Sequence, residues 1–575
     1  MGDIRQFELK FSSIFLLLLV LSIILSGTAH GKTINICEIG CDFTSITEGI
    51  NSADTGDIIE VQSGAYLENV NISKPLTLIG KDTGQGKPII DAGGNGSAMI
   101  IFAEDVMVEG FNLTNSLGSW LEIWAGIEVN SNRSTIINNL AINNENGILI
   151  TGSDNIIQGN DAVNNIYGIR AKGSTNNSIT ENNFMNNNYG LFILASKDNT
   201  IQRNHAINNE YGILLNDSTG NNLSHNQMTG NSYNFGGSGV NYVDTTNLVD
   251  GRPIYYLMQS ADLPADSFRD AGTIYCLNCY NLAIRDLELK NNLYGIYLDN
   301  TSHSVIEDNS LSNNRNGIAL MNSNRNFIKD NLATDNTEGF VLISSRYNTL
   351  QRNKALKSQA GLHLAYSDYN RMLSNQANDS ENGLWLFRSG LNLLSGNNLS
   401  NNSIGAHLSF AWMNKIFKND IISNDEGILL DSSANNNLSG NRIMNNTNGV
   451  LYDPLDNNTL GYDNEYLNNG ADFEQIRSRS TAASGIPPSI AIQIKSNPKG
   501  AAILKDGEFS GETNGPVYFT EPGKYTLLVK KEGYEDGELT IEIPGPERIS
   551  AGIPREISIE LKPEKNSTNG AENGK

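Results

Sequence analysis

Proline is scarce in this chain; between residues 89 and 453 only Pro253 and Pro264 occur. Corners there fall to Asn and Gly, which tolerate tight backbone turns. Histidine numbers six and cysteine four, the cysteines in two close pairs, Cys37/Cys41 and Cys276/Cys279. No Met-x-x-Met or His-x-His cluster is present, so the donor set of a soft-metal site is thin. Basic residues number 40 against 63 acidic ones, a net charge of −23. That balance argues against nucleic acid as a partner, because phosphate binding needs a basic face. Long apolar runs are also few. One spans Ile14 to Leu25, and no later segment reaches the roughly 18 apolar residues of a membrane span. Residues 1–29 read as a signal peptide: Arg5 and Lys10 precede that run, and Gly27-Thr28-Ala29 offers small residues for cleavage. An uncleaved anchor is the alternative. The mature chain is thus expected to be extracytoplasmic, where a Cys37–Cys41 disulfide is permitted.

What is present is a repeat. A Gly followed by an aliphatic or aromatic residue recurs at Gly126, Gly147, Gly168, Gly190 and Gly212, and again from Gly295 through Gly317, Gly339 and Gly361 to Gly449, at intervals of 21 or 22 residues. An Asn column runs in register with it, from Asn160 to Asn226 and from Asn309 to Asn441, and a third column is Ser or Thr. Between columns lie short segments of alternating apolar and polar residues, such as Thr349-Leu350-Gln351-Arg352, which signal strands. The period excludes neither a leucine-rich repeat nor a β-helix, but the leucine frame and helical segment of the former are missing. The fold expected is all-β: a right-handed parallel β-helix of 21–22-residue coils, its hand taken from the crossover rule, followed by a small β-sandwich-like domain.

In order, residues 30–122 hold an N-terminal cap and the first coils. Ser45 to Ala53 has helical spacing through Ile46 and Ile50 and suits a lid on the open end of the stack. Residues 123–475 are the repeats, with the period broken at 236–271, read as an insertion that loops from one face. Residues 476–488 are a linker, 489–562 a compact β domain with turn signals at Asp506-Gly507 and Pro522-Gly523, and 563–575 a polar tail that composition marks as disordered.

Gly56-Asp57-Ile58-Ile59-Glu60-Val61 with Gly64-Ala65-Tyr66, and the stretch Val249-Asp250-Gly251-Arg252-Pro253-Ile254-Tyr255-Tyr256, resemble the NosD-type subgroup of parallel β-helix proteins, also described as carbohydrate-binding and sugar-hydrolase (CASH) repeats. The resemblance covers about residues 35–465. It implies a pectin-lyase-like solenoid outside the cytoplasm and, for the namesake members, copper delivery. The C-terminal domain resembles PEGA domains through Ser496-Asn497-Pro498-Lys499-Gly500-Ala501, Gly511-Glu512-Thr513 and Lys531-Glu532-Gly533-Tyr534. The naming tetrad is altered, with Lys499 in its second place.

Three functional classes follow. For copper, Cys276 and Cys279 are the candidate ligands. Aligning Ile284 with Ile306 sets Cys276 level with Leu298 and Cys279 level with Thr301, both structural slots, so core packing or a Cys276–Cys279 disulfide is the competing reading. For sugar chemistry, two carboxylates across a cleft are required; the Asn-Thr-Asp, Gly-His-Gly and Arg-Ile-Lys signatures of polygalacturonases are missing, and Asp453-Pro454-Leu455-Asp456 lacks the His of the alginate epimerase motif. For binding, the second residue after each Gly faces outward. That column contains Phe192, Leu214, Tyr297, Val341, His363, Trp385 and His407, and an apolar stripe of this kind usually has a partner. Phe192, Tyr297, His363, Trp385 and His407 are the candidate ligand-binding stripe; cover by the 236–271 segment or the PEGA-like domain is its structural alternative. Tyr167, Tyr189, Tyr211 and Tyr294 read as a stacked structural ladder. The expectation is a non-catalytic binding scaffold for a glycan or a surface protein, with no cofactor; a copper or calcium protein, or a polysaccharide lyase or hydrolase, is the alternative.

Overall fold

The computed structural model describes residues 31–117, 123–476, 490–505, 508–513, 515–519, 523–531, 534–543 and 556–562. The signal peptide expected at 1–29, the linker beyond residue 476, the turn residues Asp506, Gly507 and Pro522, and the tail at 563–575 lie outside the described residues.

Alternation in the sequence becomes alternation in burial. In one coil the strands Ser178–Thr180, Asn183–Met185 and Tyr189–Leu194 bury Ile179, Phe184, Leu191 and Ile193. One coil on, the same positions pair with them in parallel: Ile179 with Ile201, Phe184 with Ala206, Leu191 with Ile213. Asn turns the corners and answers the buried polar groups there. Asn182 donates its backbone N–H and its Nδ2 to Asn204 Oδ1, each at 3.0 Å, and Nδ2 also reaches the Ile157 carbonyl at 2.9 Å. One side chain thus pairs groups that would otherwise be buried and unmatched. Ser does the same in the small column, where the Ser196 N–H donates to Ser218 Oγ at 3.1 Å. The Gly column marks a close approach: a Cβ on Gly190 would lie 2.6 Å from the Gly212 carbonyl oxygen.

The N-terminal end is closed as the Ile46/Ile50 spacing predicts. An α-helix spans Ile46–Ser52, Ser45 Oγ caps it by accepting from the Glu48 N–H at 3.3 Å, and Ile46 and Ile50 are buried in the first core.

The segment 236–271 corrects the sequence reading. It is not a loop from an unbroken stack but the place where one solenoid ends and another begins. Tyr242–Val243 and Leu248–Val249 are the last strands of the first solenoid. Asp250 and Gly251 take positive φ, 47° and 80°, the two-residue hairpin turn that Asp-Gly favours. The chain therefore reverses: Leu248–Val249 pairs antiparallel with Arg252–Met258, which opens a new parallel stack with Thr273–Leu277. Asp250 pins the turn from both sides, accepting from the Gly230 N–H at 3.1 Å, Asn234 Nδ2 at 3.0 Å and Asn291 Nδ2 at 3.1 Å. Reversal exchanges the faces of the sheet. Ile274, Cys276 and Ile296 enter the second core, while Tyr275, Leu277, Tyr297, Ala319 and Val341 on the opposite face join the first. One sheet walls two cores.

The second solenoid runs to Ala471–Gln475, with two further sheets of nine strands each. Among the described residues, the C-terminal domain has a three-stranded and a four-stranded sheet around Ile494, Ile503, Val517, Leu527 and Val529.

Candidate functional site at the joint of the two solenoids

Where the solenoids meet, their outer faces leave a cavity of about 390 Å³. The first contributes Tyr189, Tyr211 and Leu214; the second contributes Leu293, Arg315, Glu338 and Val341. Tyr189 and Tyr211 stand at equivalent strand positions one coil apart. Their rings stack with centroids 4.8 Å apart and planes 7° from parallel. Burial raises both phenol pKa values above the ordinary tyrosine range, and the Arg315 guanidinium opposes that rise at Tyr211. Glu338 is held at both oxygens: Asn316 Nδ2 donates to Oε2 at 2.8 Å, and His363 Nδ1 meets Oε1 at 2.8 Å. Arg315 is in no ion pair among the described residues, and its guanidinium hydrogen-bonds the Tyr211 hydroxyl. The pocket therefore offers a cation without a carboxylate partner, a fixed carboxylate, two phenols and an apolar floor. This is the mixture that orients a small polar ligand.

The candidate stripe does not form one surface. His363, Trp385 and His407 do come together: centroids lie 4.3 Å apart at 7° for His363–Trp385 and 6.0 Å at 13° for Trp385–His407. Their Nε2, Nε1 and Nε2 atoms are buried without a hydrogen-bond partner. Burial lowers the His407 pKa, with Asp431 opposing. Phe192 instead packs in the first solenoid against Tyr167 and Tyr189, at 5.7 and 5.4 Å. Tyr297 is a correction: it is 8% exposed and lies within the joint, against Tyr275 and Tyr294. Its outward direction was readable, but not that the first solenoid covers that face. The tyrosine ladder holds for Tyr167, Tyr189 and Tyr211; Tyr294 belongs to the second solenoid. Arg315 was missed, although it is the one basic member of the column two residues before each Gly.

The cysteines are likewise decided by register. Ile284 pairs with Ile306 and Cys276 with Leu298. The Cys279 N–H donates to Thr301 Oγ1 at 3.2 Å. Cys276 and Cys279 form a disulfide, Cα atoms 6.0 Å apart, as do Cys37 and Cys41 at 5.5 Å. The pair therefore does not serve as a metal site: a disulfide sulfur is not a thiolate ligand.

Stacked parallel coils, three-stranded turns and Asn ladders define a parallel β-helix protein, here in two solenoids joined by a reversal. The chain belongs to the NosD family: the family described as "Periplasmic copper-binding protein (NosD)" matches residues 49–254, 261–385 and 357–482. A PEGA domain matches residues 489–554. A "Cell surface glycoprotein" of Methanothermus fervidus is 34% identical over 128 residues, 21% of this chain and 20% of that protein; the chain spans about a fifth of its relative's length. Among solved structures, the A-module of the mannuronan C-5 epimerase AlgE6 of Azotobacter vinelandii covers 75% of this chain and 93% of its own, at 12% identity and a TM-score of 0.26. The periplasmic alginate epimerase AlgG covers 77% and 84%, at 12% and 0.27. Such scores carry no functional inference.

The family description names copper, and the donors in this chain do not fit it. Both cysteines near the joint are oxidised to each other, and one nitrogen of His363 is taken by Glu338. Among the described residues no three of His, Cys, Asp and Glu gather where a metal ion would sit. Among the described residues no helix is long and apolar enough to cross a membrane.

Proposed function

We propose that this chain is an extracytoplasmic, non-catalytic binding protein displayed at the cell surface, and that the joint holds its ligand, a hydroxyl-bearing ring compound such as a sugar unit. The observation that carries this reading is the pocket itself, assembled from two solenoids, with Arg315 held at Tyr211 and paired with no carboxylate among the described residues, and Glu338 fixed by two donors. Fixed polar groups beside aromatic and aliphatic surface suit the alternating hydroxyl and C–H faces of a sugar. A single pinned carboxylate supports binding rather than glycosidic chemistry, which needs a pair. The surface relative and the signal-like N-terminus support the location.

The test is isothermal calorimetry of the full chain against a panel of mono- and disaccharides, with Arg315→Ala and Tyr211→Ala as controls. Saturable binding that both substitutions weaken is expected. Failure of every sugar, or unchanged binding in both variants, overturns the reading. Titration with Cu(I) and Cu(II) tests the rival role, and tight stoichiometric uptake would restore it.

A further inference from the structure

A second surface lies away from the joint, on the corner where each coil of the second solenoid leaves the shared sheet. The corner has six residues. Its third and sixth point inward and build the Ser and Asn ladders: Ser345 donates its N–H to Ser367 Oγ, and Asn348 donates to Asn370 Oδ1. Its second and fifth residues have left-handed backbone and point outward. That conformation presses Cβ against the following carbonyl, a clash that Asn and Asp bear best. Coils at either end follow this preference at one of their two positions, with Asn300, Asn322 and Asn435 at φ of 47°, 49° and 58° beside His303, Arg325 and Ser432.

Four consecutive coils between them place large, mostly aromatic or apolar side chains there instead. Tyr366, Arg388 and Phe410 occupy the first left-handed column at φ of 52°, 45° and 51°. Tyr347, Tyr369, Leu391 and Met413 occupy the second at 51° to 58°. They do not fill the core: Tyr347 is 51% exposed, Tyr366 48%, Met413 44% and Phe410 36%. Bulky side chains have been set at positions whose backbone disfavours them and whose burial does not need them. Strain retained in this way clusters at functional sites.

The remaining chemistry of the patch identifies an occupant. Arg388 lies 5.5 Å from the Phe387 ring centroid and 5.8 Å from that of Phe410. Phe387 meets both Tyr366 and Phe410 edge-on, at 86°, so those two rings do not stack on it face to face. Trp412 lies over Gly390, where an added Cβ would come within 2.3 Å of the indole, and its Nε1 has no partner. The corner's one carboxylate there, Asp368, is already met by Arg346 at 3.4 Å and by the Gly390 N–H at 2.8 Å. Arg325, Arg371, Arg388, Lys415 and Lys418 form no ion pair among the described residues. A chain of net charge −23 thus carries a cationic, aromatic platform on one edge. Its columns rise by ~4.8 Å per coil along the axis.

We propose that this platform binds an acidic polysaccharide, one carrying carboxylate or sulfate groups along its length. Arg388 also lies 5.9 Å from the Tyr366 ring centroid, and Tyr347 stacks on Tyr369 at 5.1 Å. The parts of Tyr366, Phe410 and Met413 left exposed meet the sugar C–H faces, and the guanidinium and ammonium groups that have no carboxylate partner among the described residues meet the charges. A regular column of sites suits a polymer better than a compact partner.

The experiment is affinity electrophoresis of the full chain through gels containing polygalacturonate, dextran or oligothymidine, alongside thermal melting. Polygalacturonate should retard the protein and dextran should not. The double variant Tyr366→Asn, Phe410→Asn restores the residue type that the turn prefers, so it should melt no lower than the parent while binding falls about tenfold or more, the scale of losing stacked rings. Arg315→Ala in the joint should leave retardation unchanged, which separates this site from the pocket. No retardation by polygalacturonate, undiminished binding in the double variant, a lowered melting temperature in it, loss of binding in Arg315→Ala, or stronger retention by oligothymidine each overturns the proposal.

Discussion

His363 lies flat against Trp385, with ring centroids 4.3 Å apart and planes 7° from parallel, and Nδ1 of the same histidine meets Glu338 Oε1 at 2.8 Å. One residue thus couples the stacked stripe to the carboxylate that lines the joint. His363→Ala removes both contacts and leaves Glu338 with Asn316 as its named donor. A loss of about 1–3 kcal/mol is expected, the cost of a partly buried charge-assisted bond. Chemical denaturation followed by tryptophan emission measures it, and the emission maximum should move to the red as Trp385 gains water. An unchanged midpoint and spectrum would mean that the stack is incidental.

His407 makes stability depend on pH. Burial favours its neutral form and lowers its pKa in the fold. The unfolded chain therefore takes up the proton first as pH falls. The stability this group contributes is full above the ordinary histidine value, ~6.5, and is lost as pH drops through the folded value. His407→Leu should flatten the fall in melting temperature between pH 7 and pH 5. An equal slope in parent and variant would show that another group carries the dependence.

The Asn ladder invites a direct deletion. Asn353 Nδ2 donates to Asn375 Oδ1 at 3.1 Å and to the Ile328 carbonyl at 2.8 Å, while its Oδ1 accepts the Asn331 N–H at 3.1 Å. Asn353→Ala leaves the Asn331 amide and the Ile328 carbonyl buried without these partners. The expected cost is about 2–4 kcal/mol, read as a lower denaturant midpoint at unchanged m-value. A cost below about 0.5 kcal/mol, the scale of a surface change, would mean that water replaces the side chain.

Much of this was legible because a 22-residue period fixes what lies above each residue. Cys276 could be set level with Leu298, and Cys279 with Thr301, from the alignment of Ile284 with Ile306 alone, and the strand register agrees. Alternation told which way Tyr297 and Trp385 point. It could not tell what they meet, since burial of Tyr297 depends on the first solenoid, formed by an earlier part of the chain. The reversal was hidden for a related reason. Asp250-Gly251 is a hairpin signal, but the same repeat resumes after it, so one stack and two look alike in period. Arg315 and the corner residues were overlooked because a turn position was read for its backbone and not for its side chain.

The joint itself can be tested at Tyr275. Its ring is fully buried in the wall between the cores, edge-on to Phe235 at 5.2 Å and stacked on Tyr256 at 5.5 Å, and its hydroxyl donates to the Phe235 carbonyl at 3.3 Å. It comes from the second solenoid yet belongs to the first core. Tyr275→Phe removes the hydroxyl alone and should cost about 1 kcal/mol. Tyr275→Ala opens a cavity at the seam, with an expected cost of about 3–5 kcal/mol. The loss falls on contacts between solenoids, while each stack keeps its own coil-to-coil interfaces, the terms that hold a solenoid together. Scanning calorimetry of Tyr275→Ala should therefore show a solenoid transition split in two where the parent shows one. A single transition displaced to lower temperature would place the seam inside one cooperative unit and refute the division of the chain into two separately stable stacks.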